Sequence, residues 1–408
     1  MLLIIGGLWV PILMFVAFVV KMIAVTMMKY KQSFYVLLFI MPFGLIYKYP
    51  GFTLSFLTVI EILMICVIFF RMKKINATVM LTVVAISLLF ALRMNSYYMA
   101  IPKLAVSYLI MGMFIATYEK ESMHEYADYF VSGIIFSSFL GIFKERIPSL
   151  LAYYNDMNYD YVDGKLVLRF SGLFDDPNYF SIALICAMIV LIYLKRYQKY
   201  PLVKFYVFFA ILTGMGLLTY SKSFILIYAF VLLLEVVLNL KGQNKIQSIF
   251  EILIIGLMLV IVFLGEIEIV NRIFSRFTSS QGLTTGRDDI WRGYWAVINQ
   301  SDANKWFGLG LDAPYVGDKA AHSLYVEMIY YSGYIGLAVF MIGWLVLIFN
   351  SHKNKIRIGN LILPIIIFIM YAFLSGFLNY AMPFYMIFAW MLADMDLKEK
   401  HCEVVAKA

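Results

Sequence analysis

Residues 319–336 read KAAHSLYVEMIYYSGYIG, a polar segment that passes through His322 into an apolar run. The run continues to residue 348, which is longer than the roughly 20 residues that an α-helix needs to cross the hydrocarbon core of a bilayer. The stretch therefore predicts a membrane-spanning helix with a histidine at its start. Because the longest polar loop of the chain ends here, this junction is the first candidate for a site.

The apolar pattern recurs along the whole chain. Hydrophobic residues make up 63% of it and charged residues 14%, whereas a soluble domain is near half apolar and a quarter charged. About thirteen runs qualify as spans: 2–20, 34–47, 52–70, 77–92, 99–117, 127–143, 179–194, 203–219, 222–240, 249–266, 322–348, 359–375 and 381–394. They predict one all-α polytopic membrane domain over residues 1–408, with about 12–14 transmembrane helices. Span 2–20 lacks a basic leader and a cleavage site, so we expect it to be retained.

The basic residues predict how these spans are oriented, because short loops rich in Lys and Arg stay in the cytoplasm. When the spans alternate, one side collects Lys29, Lys31, Arg71, Lys73, Lys74, Lys195, Arg196, Lys199, Lys241, Lys245, Lys353, Lys355, Arg357, Lys398 and Lys400. We therefore expect the N-terminus outside and the C-terminal tail in the cytoplasm. The excess of Lys and Arg in cytoplasmic loops explains the formal net charge of +8, and no nucleic-acid partner is expected.

Two connections are much longer than the others, and both fall on the outer face. They comprise residues 144–178 and 267–321, and long loops in compact proteins are usually functional. Both contain cations, against the charge rule: Lys144, Arg146, Lys165 and Arg169 in the first, and Arg272, Arg276, Arg287, Arg292, Lys305 and Lys319 in the second. These residues need an explanation other than topology.

His322 is the one histidine that this topology places outside. The other three, His124, His352 and His401, fall in cytoplasmic loops or the tail. With an unperturbed pKa of about 6.5, histidine can take a proton from a sugar hydroxyl at neutral pH. The alternative is a polar helix start at the lipid headgroups. On a helix, Tyr325 shares the face of His322, whereas Glu327 lies about 140° away and is not expected to orient the imidazole.

The first outer loop ends in LRFSGLFDDPNYF, residues 168–180, directly before a span. Asp176 followed by Pro177 is typical of a helix N-cap with proline at the first helical position. The helix start would face outward, where its dipole favours an anion that Arg169 could also bind. Alternatively, Asp175 and Asp176 hold a divalent metal, although two adjacent aspartates are a weak signal for one.

Two tight turns carry further candidates. In TYSKS, residues 219–223, Lys222 follows Ser221 and is either a second phosphate-facing cation or a side chain that extends from the membrane to its interface. In WFGLG, Gly308 and Gly310 allow a sharp turn and give a weak phosphate-loop signal.

The second outer loop contains TTGRDDIWRGYW, residues 284–295, which predicts a short amphipathic helix capped near Thr285. Arg287 falls in its first turn and Arg292 on another face. Arginine suits a phosphate because its guanidinium donates two parallel hydrogen bonds. The alternative is a surface helix whose Arg and Asp residues pair with one another.

Two other features favour structural roles. Glu61 lies mid-span, where it is either part of a relay in a carrier or makes a structural hydrogen bond. Cys66, Cys186 and Cys402 are too few and too scattered for a disulfide framework or a zinc site.

Together these strings resemble the bacterial O-antigen polymerase and O-antigen ligase superfamily, the Wzy and WaaL type membrane glycosyltransferases. The resemblance rests on RFSGLFDDPNYF, the SKS turn, TTGRDDIW, FGLG and AHSLYVEMIYYSGYIG, which occur in the family's order over residues from about 165 to 350. It implies a GT-C-like fold that uses undecaprenyl-pyrophosphate-linked glycans as donor and acceptor, with no metal or other cofactor. The turn usually reads Ser-Arg-Ser, and Lys222 departs from that pattern.

The resemblance also implies the residue roles. His322 matches the catalytic base, and Arg169 and Arg287 match the arginines around the pyrophosphate, with Lys222 and Arg292 as further candidates. Asp176, Asn178, Ser221 and Tyr325 are candidates for supporting roles. We expect a multi-pass protein of the bacterial cytoplasmic membrane with its site on the outer face. Membrane lipid, a chain-length regulator and a flippase are the expected partners.

Three other functions stay open. A ligase would share these motifs but pass finished polymer to lipid A–core. A lipid-linked sugar flippase or other carrier would concentrate charge near the membrane midplane, whereas apart from Glu61 the candidate residues here lie outside. A polytopic sensor or scaffold would not need the outer Arg and His set. The polymerase is favoured over the ligase on the general character of the sequence.

Overall fold

A computed structural model describes residues 10–43, 56–71, 77–91, 100–118, 123–143, 159–162, 165–174, 176–197, 200–240, 256, 286–311, 313–351, 361–372, 374 and 382–393. The helices are α1 (Pro11–Met27), α2 (Tyr30–Ile40), α3 (Phe56–Arg71), α4 (Ala77–Ala91), α5 (Ala100–Thr117), α6 (Met123–Ile142), α7 (Pro177–Tyr197), α8 (Leu202–Leu217), α9 (Lys222–Leu240), α10 (Arg287–Ile298), α11 (Asp302–Phe307), α12 (Leu324–Ser351), α13 (Ile362–Tyr371) and α14 (Met382–Ala393). A 3-10 turn, Met41–Phe43, follows α2.

The expected helical fold is confirmed for these residues, with one exception. Strands β1 (Tyr159–Val162) and β2 (Lys165–Leu168) form an antiparallel hairpin inside the first long loop, where no strand was predicted. The sequence contained the signal, because two runs with β-branched and aromatic residues flank an Asp-Gly pair. The short helices predicted in the second long loop are present as α10 and α11. The predicted span 249–266 lies outside the described residues except for Gly256.

Helix α7 forms the centre of the bundle. Every residue from Phe180 to Leu194 is buried, and the helix packs against α6, α8, α9, α13 and α14. Long apolar side chains on all faces of α7 explain this position, since a helix that is apolar all round is stable only where each face is covered. At 21 residues it is about 30 Å long and separates the two ends of the bundle.

Helix α12 consists of two parts that meet at Gly333, where the backbone leaves the helical conformation with φ 69°. The first part is buried from Val326 to Ser332, whereas the second exposes a stripe of apolar residues that includes Ile342 and Leu345. Among the described residues, two helical stretches are long and apolar enough to cross a membrane, Pro177–Lys195 and Leu324–Ile348, and six more are apolar but shorter.

The break at Gly333 is filled by the turn after α11. A side chain at position 333 would meet the carbonyl oxygen of Trp306 at 2.2 Å, so glycine is needed for this close approach as well as for its positive φ. The amides of Leu309 and Gly310 donate to the carbonyls of Tyr330 and Tyr331, at 2.8 and 3.0 Å. These amides satisfy carbonyls that the break removes from the helical pattern.

The phosphate-loop interpretation of the same turn is wrong. The amide of Gly308 donates to the carbonyl of Asn304 at 2.8 Å, and that of Gly310 donates to α12. Both amides are already bonded within the protein, so the glycines serve close packing against the helix break.

A group of ion-paired residues lies at the end of the bundle where α7 finishes, and one of them is Lys31, which was predicted to be cytoplasmic. Lys204 contacts Asp128 at 2.7 Å, and the hydroxyl of Tyr200 donates to the same carboxylate at 2.7 Å. Lys31 pairs with Glu125 at 3.4 Å. The hydroxyl of Tyr35 also donates to Glu125, and this bond is the main reason that the pKa of that carboxyl is lowered. The candidate site lies at the opposite end, around the start of α7.

Candidate functional site

Arg169 follows strand β2 directly and is buried at the end of the hairpin. Its Nε donates to the carbonyl of Thr219 and its Nη2 to the Oδ1 of Asn178, both at 3.1 Å. The next amide, that of Phe170, donates to the carbonyl of Leu218 at 3.0 Å. The hairpin is therefore joined to the turn between α8 and α9, and the guanidinium is held against the first turn of α7.

The predicted N-cap of α7 is confirmed. Pro177 is the first helical residue, and the Oδ1 of Asp176 accepts the backbone amide of Asn178 at 2.6 Å. Capping satisfies one of the amides that a helix start leaves without an intrahelical partner. Asp175 lies outside the described residues, so its pairing with Asp176 as a metal ligand stays a prediction. Among the described residues, no group of three or more His, Cys, Asp or Glu could hold a metal ion.

The turn before α9 is tied to the same helix start. The hydroxyl of Ser221 donates to the Oδ1 of Asn178 at 3.0 Å and lies 2.9 Å from the hydroxyl of Ser223. One turn further along α7, the hydroxyl of Ser181 donates to the Oγ1 of Thr219 at 3.2 Å. Lys222 is the first residue of α9 and is half-buried. Sequence reasoning missed Thr219 and Ser181, whose roles depend on the approach of two separate segments.

Arg287 is the first residue of α10 and is half-buried. The N-cap position is Gly286, with φ 75° and no side-chain cap, whereas a cap near Thr285 was predicted; Thr285 itself lies outside the described residues. Arg292 is on another face, as predicted, with its side chain 79% exposed and paired with Asp289. The structure thus brings Arg287 toward the site and leaves Arg292 at the surface.

His322 precedes α12 instead of opening it. Its φ is 49°, in the left-handed region that a residue with a Cβ seldom adopts, and the helix begins two residues later. The argument that Tyr325 shares its helical face is therefore wrong, because His322 is not on the helix. The hydroxyl of Tyr325 donates to the carbonyl of Phe368 at 2.9 Å. Sequence reasoning also missed Ser323, whose carbonyl accepts the amide of Glu327 at 3.0 Å.

Two aromatic side chains of α10 hold the backbone before His322. The Nε1 of Trp291 donates to the carbonyl of Ala321 at 2.7 Å, and the hydroxyl of Tyr294 donates to the carbonyl of Lys319 at 2.8 Å. Since Arg287 lies one turn before Trp291 on the same helix, these bonds fix the base and the cation relative to one another.

The electrostatics of His322 connect the two long loops. Burial lowers the pKa of the imidazole below its ordinary value, the charge of Arg287 lowers it further, and the charge of Asp176 opposes the shift. Asp176 lies 146 positions and Arg287 lies 35 positions before His322, and the charges of both therefore act on the same imidazole ring. At neutral pH the imidazole is uncharged and can accept a proton.

The buried carboxylate of Glu327 belongs to a different environment. Its charge contributes to the raised pKa of Tyr294, for which burial is the main cause. Neither residue is among the causes of the shift at His322. That Glu327 does not orient the imidazole stays a prediction.

Comparison of the chain with protein-family models, with curated proteins and with solved structures finds no match in any of the three. Functional conclusions therefore rest on the residues themselves and on their arrangement.

Proposed function

We propose that this protein is a polysaccharide polymerase of the outer face of the bacterial cytoplasmic membrane. It transfers a glycan chain from undecaprenyl pyrophosphate to the terminal sugar hydroxyl of a lipid-linked repeat unit of an O-antigen, a capsule or an exopolysaccharide. His322 is the base, and Arg169, Arg287 and Lys222 surround the pyrophosphate. Arg292 is omitted, because its charge is paired with Asp289 at the surface.

The observation that carries the proposal is the convergence of separate segments at the start of α7. The hairpin supplies Arg169, α10 supplies Arg287, and the loop before α12 supplies His322. An imidazole with a lowered pKa that feels the charge of Arg287, at the helix start that also holds Arg169, is suited to proton abstraction beside an anionic leaving group. A scaffold would not need this combination.

The reaction follows from these roles. The uncharged imidazole takes the proton of the acceptor hydroxyl as its oxygen attacks the anomeric carbon. The bond from that carbon to the pyrophosphate oxygen breaks, the electron pair remains on the pyrophosphate, and the configuration at the carbon inverts. The arginines stabilise the charge that develops on the leaving group, and one such donor is commonly worth about 100-fold in rate.

Exposed apolar surface supports placing the helix bundle in a membrane. Large apolar side chains are exposed on several helices, among them Phe70 at 85%, Leu81 at 70% and Val203 at 77%. Such apolar surface is suited to lipid acyl chains. With the pairs of Lys31 and Lys204 at the cytoplasmic end, the site end faces outward, where a flippase would supply the substrate and a chain-length regulator would act.

The test is a reconstitution of the purified protein with a lipid-linked repeat unit, using His322→Ala and, as a matched control, His124→Ala at the opposite end. We expect the wild-type protein and the control to form a ladder of polymer lengths and His322→Ala to leave single repeat units. A full ladder from His322→Ala would remove the histidine from the mechanism. Wild-type protein that joins no repeat units to one another, but forms a glycosidic bond between preformed polymer and lipid A–core, would instead be a ligase.

A further inference from the structure

The side-chain amide of Asn178 is held in a defined orientation at the centre of the hydrogen-bonded cluster. Its oxygen accepts hydrogen bonds from Arg169 at 3.1 Å and from Ser221 at 3.0 Å. A guanidinium carries donors and no acceptor, so chemistry requires that the amide atom facing Arg169 is the oxygen. The oxygen and nitrogen of this amide are therefore assigned without ambiguity.

The consequence is that the amide nitrogen, Nδ2, points away from the two residues that hold the oxygen. Nδ2 carries two N–H donors, and neither makes a hydrogen bond to any residue in the described part of the chain. The side chain is half-buried on the first turn of α7. Asn178 lies two positions after Asp176, whose charge acts on the pKa of His322.

We propose that Asn178 binds a phosphate oxygen of the lipid-linked donor through Nδ2, while Arg169 and Ser221 hold its amide in place. The inference rests on the proposed function, whose donor is a prenyl pyrophosphate. An anion is the expected ligand because the site combines two N–H donors, the positive end of the α7 dipole and the charge of Arg169. Asn178 would donate neutral hydrogen bonds to the phosphate, in addition to the charged hydrogen bonds that the arginines donate.

The competing role is that of a brace whose amide oxygen merely joins α7 to the neighbouring turn. Asn178→Asp separates the two roles, because it keeps an oxygen for Arg169 and Ser221 but replaces the N–H donors with a second oxygen. Asn178→Leu removes the donors and the brace oxygen together without introducing charge, so it shows whether a loss in Asn178→Asp comes only from the added negative charge. Ser221→Ala removes one bond of the brace and leaves the donors intact.

The experiment measures the affinity of each purified variant for farnesyl pyrophosphate in detergent, together with its thermal stability. We expect Asn178→Asp and Asn178→Leu each to bind at least about tenfold more weakly than the wild type, the loss that about 1.4 kcal/mol of hydrogen bonding represents. We expect Asn178→Asp to melt like the wild type and Ser221→Ala to lose less than about threefold in affinity.

Four outcomes would overturn the proposal: Asn178→Asp binding like the wild type, a loss in Asn178→Asp that Asn178→Leu does not share, a loss in Ser221→Ala as large as either, or a wild type that does not bind farnesyl pyrophosphate. The polymer ladder of the wild type is measured in parallel. A wild type that binds the pyrophosphate but forms no polymer contradicts the proposed function and leaves the anion site standing. A wild type that polymerises, with an Asn178→Asp variant that binds normally, contradicts the assignment of Asn178 alone.

Discussion

The two sides of the site are constructed differently. On the Arg169 side, side chains bond to one another and to a turn, so that Arg169, Asn178, Ser221 and Thr219 form one connected group. On the His322 side, aromatic side chains of α10 hold the backbone of the loop. The first side fixes a cation by its own hydrogen bonds, whereas the second fixes a base through the chain on which it lies.

The same comparison explains which arginine is suited to a substrate. The described hydrogen bonds of Arg169 are to the neutral oxygens of a carbonyl and an amide. Arg292 is paired with a carboxylate at the surface. Both arginines occur in polar loops of the sequence, and only the structure distinguishes the buried Arg169 from the ion-paired Arg292 at the surface.

The largest effect is expected on the Arg169 side, for Arg169→Lys. Lysine keeps the charge but cannot reach both Thr219 and Asn178 with a planar fork, so we expect the initial rate of polymer formation to fall by about 100-fold. The matched control is Arg292→Lys, for which a change below about twofold is expected because an exposed ion pair is worth little. Equal losses in the two variants would show that the buried geometry is irrelevant.

On the His322 side, Gly333→Ala is expected to cause the largest loss of stability. The positive φ at this position and the 2.2 Å approach of Trp306 require the backbone to move, so we expect a loss of about 2 kcal/mol or more in the free energy of unfolding. Thermal unfolding in detergent measures it. Gly214→Ala is the control, since beyond its chain neighbours and its own helix backbone no atom lies within 4 Å of the added methyl group there. A Gly333→Ala protein as stable as the control would contradict the helix break.

The pH dependence of the rate tests whether charges from both sides of the site, those of Arg287 and Asp176, act on the pKa of His322. Because burial and Arg287 lower the pKa of His322, the rate should be constant near neutral pH and fall on acidification, as the imidazole is protonated below its ordinary pKa. Arg287→Gln should move this fall to higher pH, and Asp176→Asn, which keeps the helix cap, to lower pH. Profiles normalised to their plateaus that do not move in opposite directions would contradict the arrangement.

The smallest effect is expected for Trp291→Phe, which removes the hydrogen bond to Ala321 and keeps the ring. We expect a loss of about 1 kcal/mol in the free energy of unfolding and a fall in kcat larger than any change in KM, because the base loses its position while the substrate cations remain. Trp295→Phe, one turn along the same helix, is the control. Identical behaviour of the two variants would mean that the bond does not position His322.

Much of the fold could be predicted from local patterns. Apolar runs predicted α3 to α9 and α12 to α14 within a few residues, and Asp176 with Pro177 predicted the start of α7. The first two predicted spans, 2–20 and 34–47, are displaced from α1 (Pro11–Met27) and α2 (Tyr30–Ile40), because an apolar run does not mark where a helix begins or ends. Local patterns failed where two segments meet. They did not distinguish the fully buried α7 from the partly exposed α12, because both are apolar on every face and only packing decides which neighbours cover them.

The sequence by itself determined which residues are candidates: a histidine at the end of the longest polar loop, cations in two polar loops and a capped helix start between them. Tertiary structure decided how they are used. The bonds from Arg169 to Thr219 and from Ser221 to Asn178 span 50 and 43 positions, and the left-handed conformation of His322 depends on a loop held by α10. Helix starts and apolar runs follow from neighbouring residues, whereas these contacts exist only once helices distant in the chain have packed together.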